Sequence, residues 1–179
     1  TGFSMRPENL SEPPSGPTLE WMRQLAAFTG AVICGSIIVK DEDHYYNRLL
    51  WVTPKGQVRH YDKRHLFTLA REQEHYSPGQ TRLVVDYLGW RICPLICYDL
   101  RFPVWSRNTE DFDLLLYIAN WPAKRRQAWN CLLPARAVEN QCYVAGLNRI
   151  GTDGNDIYYS GDSAVFDYRG ELLCKMAHH

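Results

Sequence analysis

The chain has 179 residues, enough for one domain with a sizeable core. Hydrophobic residues make up 45% and charged residues 22%, an ordinary globular composition. Lys plus Arg equals Asp plus Glu at 20 each, so the basic excess of a dedicated nucleic-acid binder is missing. No apolar run approaches the ~20 residues needed to cross a membrane. The opening residues, Thr1 to Pro7, lack the basic-then-apolar pattern of a signal peptide.

Residues 6 to 18 hold four prolines and read as an irregular surface loop. Thr18 is a candidate cap for a helix over 19–28, with Trp21, Met22, Leu25 and Phe28 at helical spacing and Gly30 as its stop. Residues 31–39 are continuously apolar and β-branched, which predicts a buried strand. Asp41 to Asp43 turn the chain into a second strand over 45–53. Pro54-Lys55-Gly56 makes a hairpin turn, and residues 57–61 return. A polar segment follows, Tyr61-Asp62-Lys63-Arg64-His65-Leu66-Phe67, then an acidic stretch holding Glu72 and Glu74. Residues 82–87 and 90–96 predict a hairpin around Gly89.

The apolar run Ile92 to Ile96 leads directly into Cys97, and Pro103 opens a short helix beyond it. A strand that ends in a thiol and turns sharply is one way to build a nucleophile elbow, with backbone N–H groups facing a reacting carbonyl. A buried free cysteine is usually just a small apolar residue. Leu114 to Ala119 is another buried strand, and it ends in the polar turn Asn120-Trp121-Pro122. Residues 124–140 predict a helix with Trp129, Leu132, Leu133, Ala137 and Val138 inward, although Pro134 lies inside it. Residues 143–148 form a strand and 151–155 a loop. Residues 163–167 and 171–175 form a last hairpin. Strand pairs joined by hairpins, with helices between them, predict an α/β sandwich rather than a doubly wound sheet.

Three strands end in polar or reactive turns, before Lys63, at Cys97 and at Asn120, and sites collect at such strand ends. A thiol near its reference pKa of ~8.5 needs a base or a cation to become a nucleophile at neutral pH. His60, His65, His75, Glu72, Glu74 and Asp99 are candidate bases, and Lys63 is the natural cation. A buried lysine in turn needs a carboxylate, which Glu72 or Glu74 could supply. Arg101 suits either an ion pair with Asp99 or a substrate carboxylate. The six cysteines lack paired Cys-x-x-Cys spacing, so no zinc site is expected. Reduced thiols point to the cytoplasm.

Ile96-Cys97-Tyr98-Asp99-Leu100-Arg101-Phe102-Pro103 resembles the nucleophile motif of the nitrilase, or carbon–nitrogen hydrolase, superfamily. Tyr61-Asp62-Lys63-Arg64-His65-Leu66-Phe67 resembles its lysine motif. Arg136-Ala137-Val138-Glu139-Asn140 and Gly161-Asp162-Ser163 resemble two later motifs, in the family's order. Within the superfamily the wording is most similar to the bacterial ω-amidase branch. The resemblance implies one hydrolase domain over residues 1–179 with an α-β-β-α sandwich, and a Glu-Lys-Cys set that needs no metal or organic cofactor. It implies a small-molecule amide as substrate, neither nucleic acid nor membrane as partner, and a homodimer or larger assembly.

Residue by residue, the resemblance makes Cys97 the nucleophile, Lys63 the lysine, and Glu72 the second glutamate that orients it. The backbone N–H of Tyr98 becomes an oxyanion donor. Arg101, Trp121 and Asn120 are expected to hold the substrate. The family's general-base glutamate maps to a point just upstream of Thr1, so it matches no residue here, neither Glu8, Glu12 nor Glu20. The family's first strand and helix and its C-terminal elements are likewise expected to be absent, leaving a partial sandwich. The same chemistry serves nitriles, N-carbamoyl amines and other linear amides, and a set without its base would serve as a scaffold or binding module. These alternatives stay open at this point.

Overall fold

The computed structural model describes residues 4–176. Thr1, the point before which the general base was expected, lies outside them. The described residues divide into two units between Leu83 and Val84.

In the first unit, β1 (Ile33–Asp41), β2 (His44–Val52) and β3 (Val58–Asp62) form an antiparallel sheet in that order. The β1–β2 register is unbroken from Ile33 opposite Val52 to Asp41 opposite His44. Helix α2 (Pro17–Thr29) packs on this sheet, and Leu19, Met22 and Ala26 meet Leu50 and Val52. The helix begins with Pro17, whose missing N–H costs nothing in the first turn, and ends at Gly30 with φ 66°. Thr18 is not the cap. Gly16 is, and the Thr18 N–H and hydroxyl both donate to the Glu12 carboxylate, the former at 2.8 Å. The buried stripe is Leu19-Met22-Ala26, spaced i, i+3, i+7. The expected face fails because Trp21 and Phe28 fall on a different stripe and are exposed.

In the second unit, six strands form one sheet in the order β11-β10-β7-β6-β5-β4. They are β4 (Val85–Tyr87), β5 (Trp90–Ile96), β6 (Leu114–Ala119), β7 (Tyr143–Asn148), β10 (Ala164–Phe166) and β11 (Leu172–Lys175). The central pairs β5–β6 and β6–β7 are parallel, and the outer pairs are antiparallel. β5 is buried on both faces from Ile92 to Ile96, as a continuous apolar run requires. Pro94 is tolerated within it because β4 pairs only as far as Ile92, so no ladder bond is demanded on that side. Helix α4 (Arg126–Asn140) packs against β7 and runs through Pro134 without interruption. Trp129, Leu133 and Ala137 are buried at i, i+4, i+8, whereas Val138 is exposed. Short helix α3 (Pro103–Ser106) starts at Pro103, as expected.

Three further expectations are corrected. The proline-rich stretch 6–18 is not wholly irregular. It holds the one-turn helix α1 (Pro7–Leu10), and Glu12 bridges to Val39 in parallel. Residues 151–155 are not simply a loop, because β8 (Ile150–Thr152) and β9 (Tyr158–Ser160) pair around them. The Asp153 carboxylate ties that hairpin, accepting from the N–H groups of Asn155 and Ile157 and from the Tyr159 hydroxyl. The third correction concerns the partial sandwich. Regular elements are present toward both ends of the described residues: the unexpected α1 and the expected α2 precede β1, and β10 and β11, the expected last hairpin, extend the second sheet to Lys175. Proline-rich composition hid the first of these. The last strand pairs with β10 across the turn at Gly170, as the sequence predicts.

Candidate active site

The first unit builds a buried ion pair. Asp62 ends β3 with both carboxylate oxygens in the fork of Arg48, at 2.7 and 2.9 Å. The next residue, Lys63, leaves the sheet. Its backbone is pinned on both sides, because its N–H donates to Asn47 C=O at 3.0 Å and its C=O accepts from Gly79 N–H at 2.9 Å. A Cβ on Gly79 would lie 2.0 Å from the Asp62 carbonyl oxygen, so only glycine permits this approach. The Lys63 ammonium donates to Glu72 Oε2 at 2.6 Å, with both side chains almost completely buried.

Glu72 opens a 3-10 turn, and its Oε2 also accepts from Phe67 N–H at 2.5 Å. Asn47 donates to its other oxygen at 3.3 Å. Glu74 points to the surface beside Arg71, so of the two candidate acids only Glu72 meets the lysine. A buried ammonium without this countercharge would be strongly disfavoured.

The second unit builds the elbow. β5 ends at Ile96, and Cys97 starts a 3-10 turn that runs to Arg101. Cys97 has φ 47°, a left-handed backbone that non-glycine residues adopt at a cost of about 1–3 kcal/mol and that clusters at functional sites. Buried Asp99 stabilises the turn, its carboxylate accepting from Ile96 N–H at 3.1 Å. Arg136 reaches from α4 and donates twice to the Leu100 carbonyl, at 3.1 and 2.8 Å. The thiol is half-buried and directed to the Asn120 carbonyl, 3.8 Å away.

Arg101 does not pair with Asp99. Its guanidinium lies 5.1 Å from the centre of the Trp121 ring, and among the described residues it makes no ion pair. The Trp121 ring is buried, donates to the Arg125 carbonyl at 2.8 Å and tilts against Trp129 at 5.5 Å. Lys63 and Glu72 are thus brought together in the first unit. Cys97, Asn120, Arg101 and Trp121 form a connected group in the second. No cluster of three or more His, Cys, Asp or Glu among the described residues could hold a metal ion.

Three residues were given no role in the sequence reading. Asn47 holds Glu72 from the middle of β2, Arg136 holds the elbow, and Asn148 at the end of β7 bonds to both peptide groups of Trp121. Asn47 and Arg48 are polar residues inside an otherwise apolar strand, a signal that was available. Arg136 on the inner face of α4 breaks its apolar stripe in the same way.

A strand-end thiol on a strained turn, with a buried Lys–Glu pair elsewhere in the chain, is the equipment of a cysteine-dependent C–N hydrolase. The family model for carbon–nitrogen hydrolases matches residues 1–178, and the chain belongs to that family. It is a hydrolase of amide C–N bonds that works through a cysteine. Omega-amidase YafV of Escherichia coli K12 is 50% identical over 179 residues, which span 100% of this chain and 70% of that protein. The 2-oxoglutaramate amidase of Bacillus subtilis strain 168 is 33% identical over 180 residues, spanning 98% of this chain and 69% of the relative. The crystal structure of XC1258 from Xanthomonas campestris, a CN-hydrolase superfamily protein with an arsenic adduct in its active site, superposes with a TM-score of 0.96. It is 48% identical and covers 100% of this chain and 71% of that one.

Proposed function

We propose that the protein hydrolyses the terminal amide of small ω-amido dicarboxylates of the 2-oxoglutaramate type. The observation that carries this reading is Arg101, a cation four residues beyond Cys97 that stacks on Trp121 and has no carboxylate partner among the described residues. A guanidinium so placed suits the far carboxylate of the substrate. The similarity to ω-amidase YafV and to the 2-oxoglutaramate amidase supports the same substrate class.

In this reading the Cys97 thiol loses its proton to a general base, and its sulfur attacks the amide carbon. Lys63, countered by Glu72, and the Tyr98 N–H bear the charge that develops on the oxygen. The C–N bond breaks, the nitrogen takes up a proton, and ammonia leaves behind a thioester. Water then adds to the thioester carbon, the C–S bond breaks, and the acid departs as the thiol is restored. Trp121 and Asn120 line the substrate side.

The test is ammonia release from succinamate or 2-oxoglutaramate alongside nitriles and N-carbamoyl amines. Release from the first pair alone is expected. Release from nitriles or carbamoyl amines in their place overturns the substrate assignment. We further propose a homodimer or larger assembly in a reducing, cytoplasmic setting. The family resemblance supports the first part, and the six cysteines, all thiols, support the second. Sedimentation of the purified protein at a single-chain mass would contradict the assembly. Among the described residues no helix is long and apolar enough to cross a membrane.

A further inference from the structure

Asn148 is the last residue of β7, and its side chain is committed entirely to neighbouring backbone. Its Oδ1 accepts from Trp121 N–H at 2.7 Å. Its Nδ2 donates to Trp121 C=O at 3.0 Å and to Gly161 C=O at 2.8 Å. The Asn148 N–H is itself fixed, donating to Ser163 Oγ at 2.9 Å. One planar amide thereby clamps both peptide groups of Trp121, at a point where β6 has ended and Pro122 has no N–H to offer. Asparagine suits the position because it supplies one acceptor and two donors in a single rigid group. Aspartate would accept from Trp121 N–H but would turn an oxygen toward two carbonyls.

The clamped residue is where two features of the site meet. On its N-terminal side is the Asn120 carbonyl, facing the Cys97 thiol at 3.8 Å. Its own ring is the surface on which Arg101 rests at 5.1 Å. The exposed Arg101 side chain has four rotatable bonds, and the ring is what orders it. We propose that Asn148 is a positioning residue that sets substrate selectivity through Trp121, holding the indole face where it aims the Arg101 guanidinium at the carboxylate of the substrate. The inference rests on the reading that Arg101 grips that carboxylate.

The experiment compares succinamate with butyramide, which has the same chain length and a methyl group in place of the carboxylate. The readout is the ratio of their kcat/KM values in the wild type, Asn148→Leu, Asn148→Ser and Arg101→Gln, each first shown to be folded by its thermal transition. All three substitutions are neutral or remove a cation, so none adds an anion that would itself repel succinamate. The ratio is expected to fall about tenfold in Asn148→Leu, mainly through KM for succinamate, with butyramide altered by less than about threefold. Asn148→Ser keeps a hydroxyl too short to span all three groups, so an intermediate fall is expected. It carries the test alone if the leucine variant does not fold.

Arg101→Gln is expected to lower the ratio at least as far. Equal losses for both substrates in the Asn148 variants, or an unchanged ratio, overturn the inference while a fall in Arg101→Gln keeps the carboxylate reading intact. An unchanged ratio in Arg101→Gln overturns the carboxylate reading and the inference with it.

Discussion

At the residue scale, the buried Lys63–Glu72 pair is the feature whose removal is easiest to interpret. Lys63→Ala deletes the countercharge and leaves Glu72 buried among Phe67 N–H and Asn47. Breaking one side of a buried pair costs about 3–5 kcal/mol, more than removing the whole pair for an apolar one. Urea denaturation is expected to show that loss, and ammonia release is expected to vanish. Retained turnover in a folded Lys63→Ala protein would point to a mechanism that does not use this lysine.

Asp162 offers a pH-dependent test on the same scale. Burial pushes its carboxyl up, but hydrogen bonds from Ser160 and Lys175, together with the charges of Arg126 and Lys175, outweigh it and hold the group below the usual carboxylate range. A folded pKa below the unfolded ~3.9 stabilises the protein above that value, and the stabilisation disappears as pH falls through the folded pKa. Both cations are substantially exposed, so solvent screening keeps the effect small. Asp162→Asn is expected to lower stability by about 1–2 kcal/mol at pH 7. The gap to wild type should narrow below about pH 4 and close once the pH is below the folded pKa. A gap that is constant from pH 7 to pH 3 would show that the charge of Asp162 contributes nothing.

At the element scale, α4 and β7 pack so closely that one position admits only glycine. A Cβ on Gly146 would lie 2.6 Å from Leu133 Cδ1 and 2.8 Å from Trp129 Cζ2. Both neighbours are buried in a close-packed layer, so their side chains must shift to admit a methyl group. Gly146→Ala is therefore expected to destabilise by about 1–3 kcal/mol despite adding a single methyl group. A melting temperature equal to wild type would show that the helix can lift. Helix α4 also holds the elbow, through the two bonds from Arg136 to the Leu100 carbonyl. Arg136→Met keeps the length of the side chain and removes both donors. It is expected to cost about 2 kcal/mol, because a buried carbonyl is left unsatisfied.

At the scale of the whole molecule, the thiols sort by burial. Burial pushes the Cys142 thiol up to about 12, and does the same to Cys34. Cys131 and Cys174 are exposed. Iodoacetamide at pH 8 is expected to label Cys131 and Cys174 in the folded protein and to reach Cys142 only on unfolding, as peptide mapping by mass spectrometry would reveal. Labelling of Cys142 as fast as Cys131 would contradict the packing around β7.

The sequence by itself determined most of the strands, the elbow and the family. An apolar run that stops at Cys97 reads as a buried strand ending in a thiol, and motif spacing along the chain does not depend on packing. It offered Lys63 with either Glu72 or Glu74 as its carboxylate, and the family resemblance pointed to Glu72. The tertiary structure decided which of two glutamates meets the lysine, which stripe of α2 and α4 faces inward, and that Arg101 stacks on Trp121 instead of pairing with Asp99. It also revealed Asn47, Arg136 and Asn148, whose work is done through hydrogen bonds to residues 25, 36 and 27 positions away. Such bonds form only when separate elements are brought side by side, and a linear pattern carries no record of them. Helix faces are undecided for a related reason. Spacing offers several apolar stripes, and the one that is buried depends on the surface it meets.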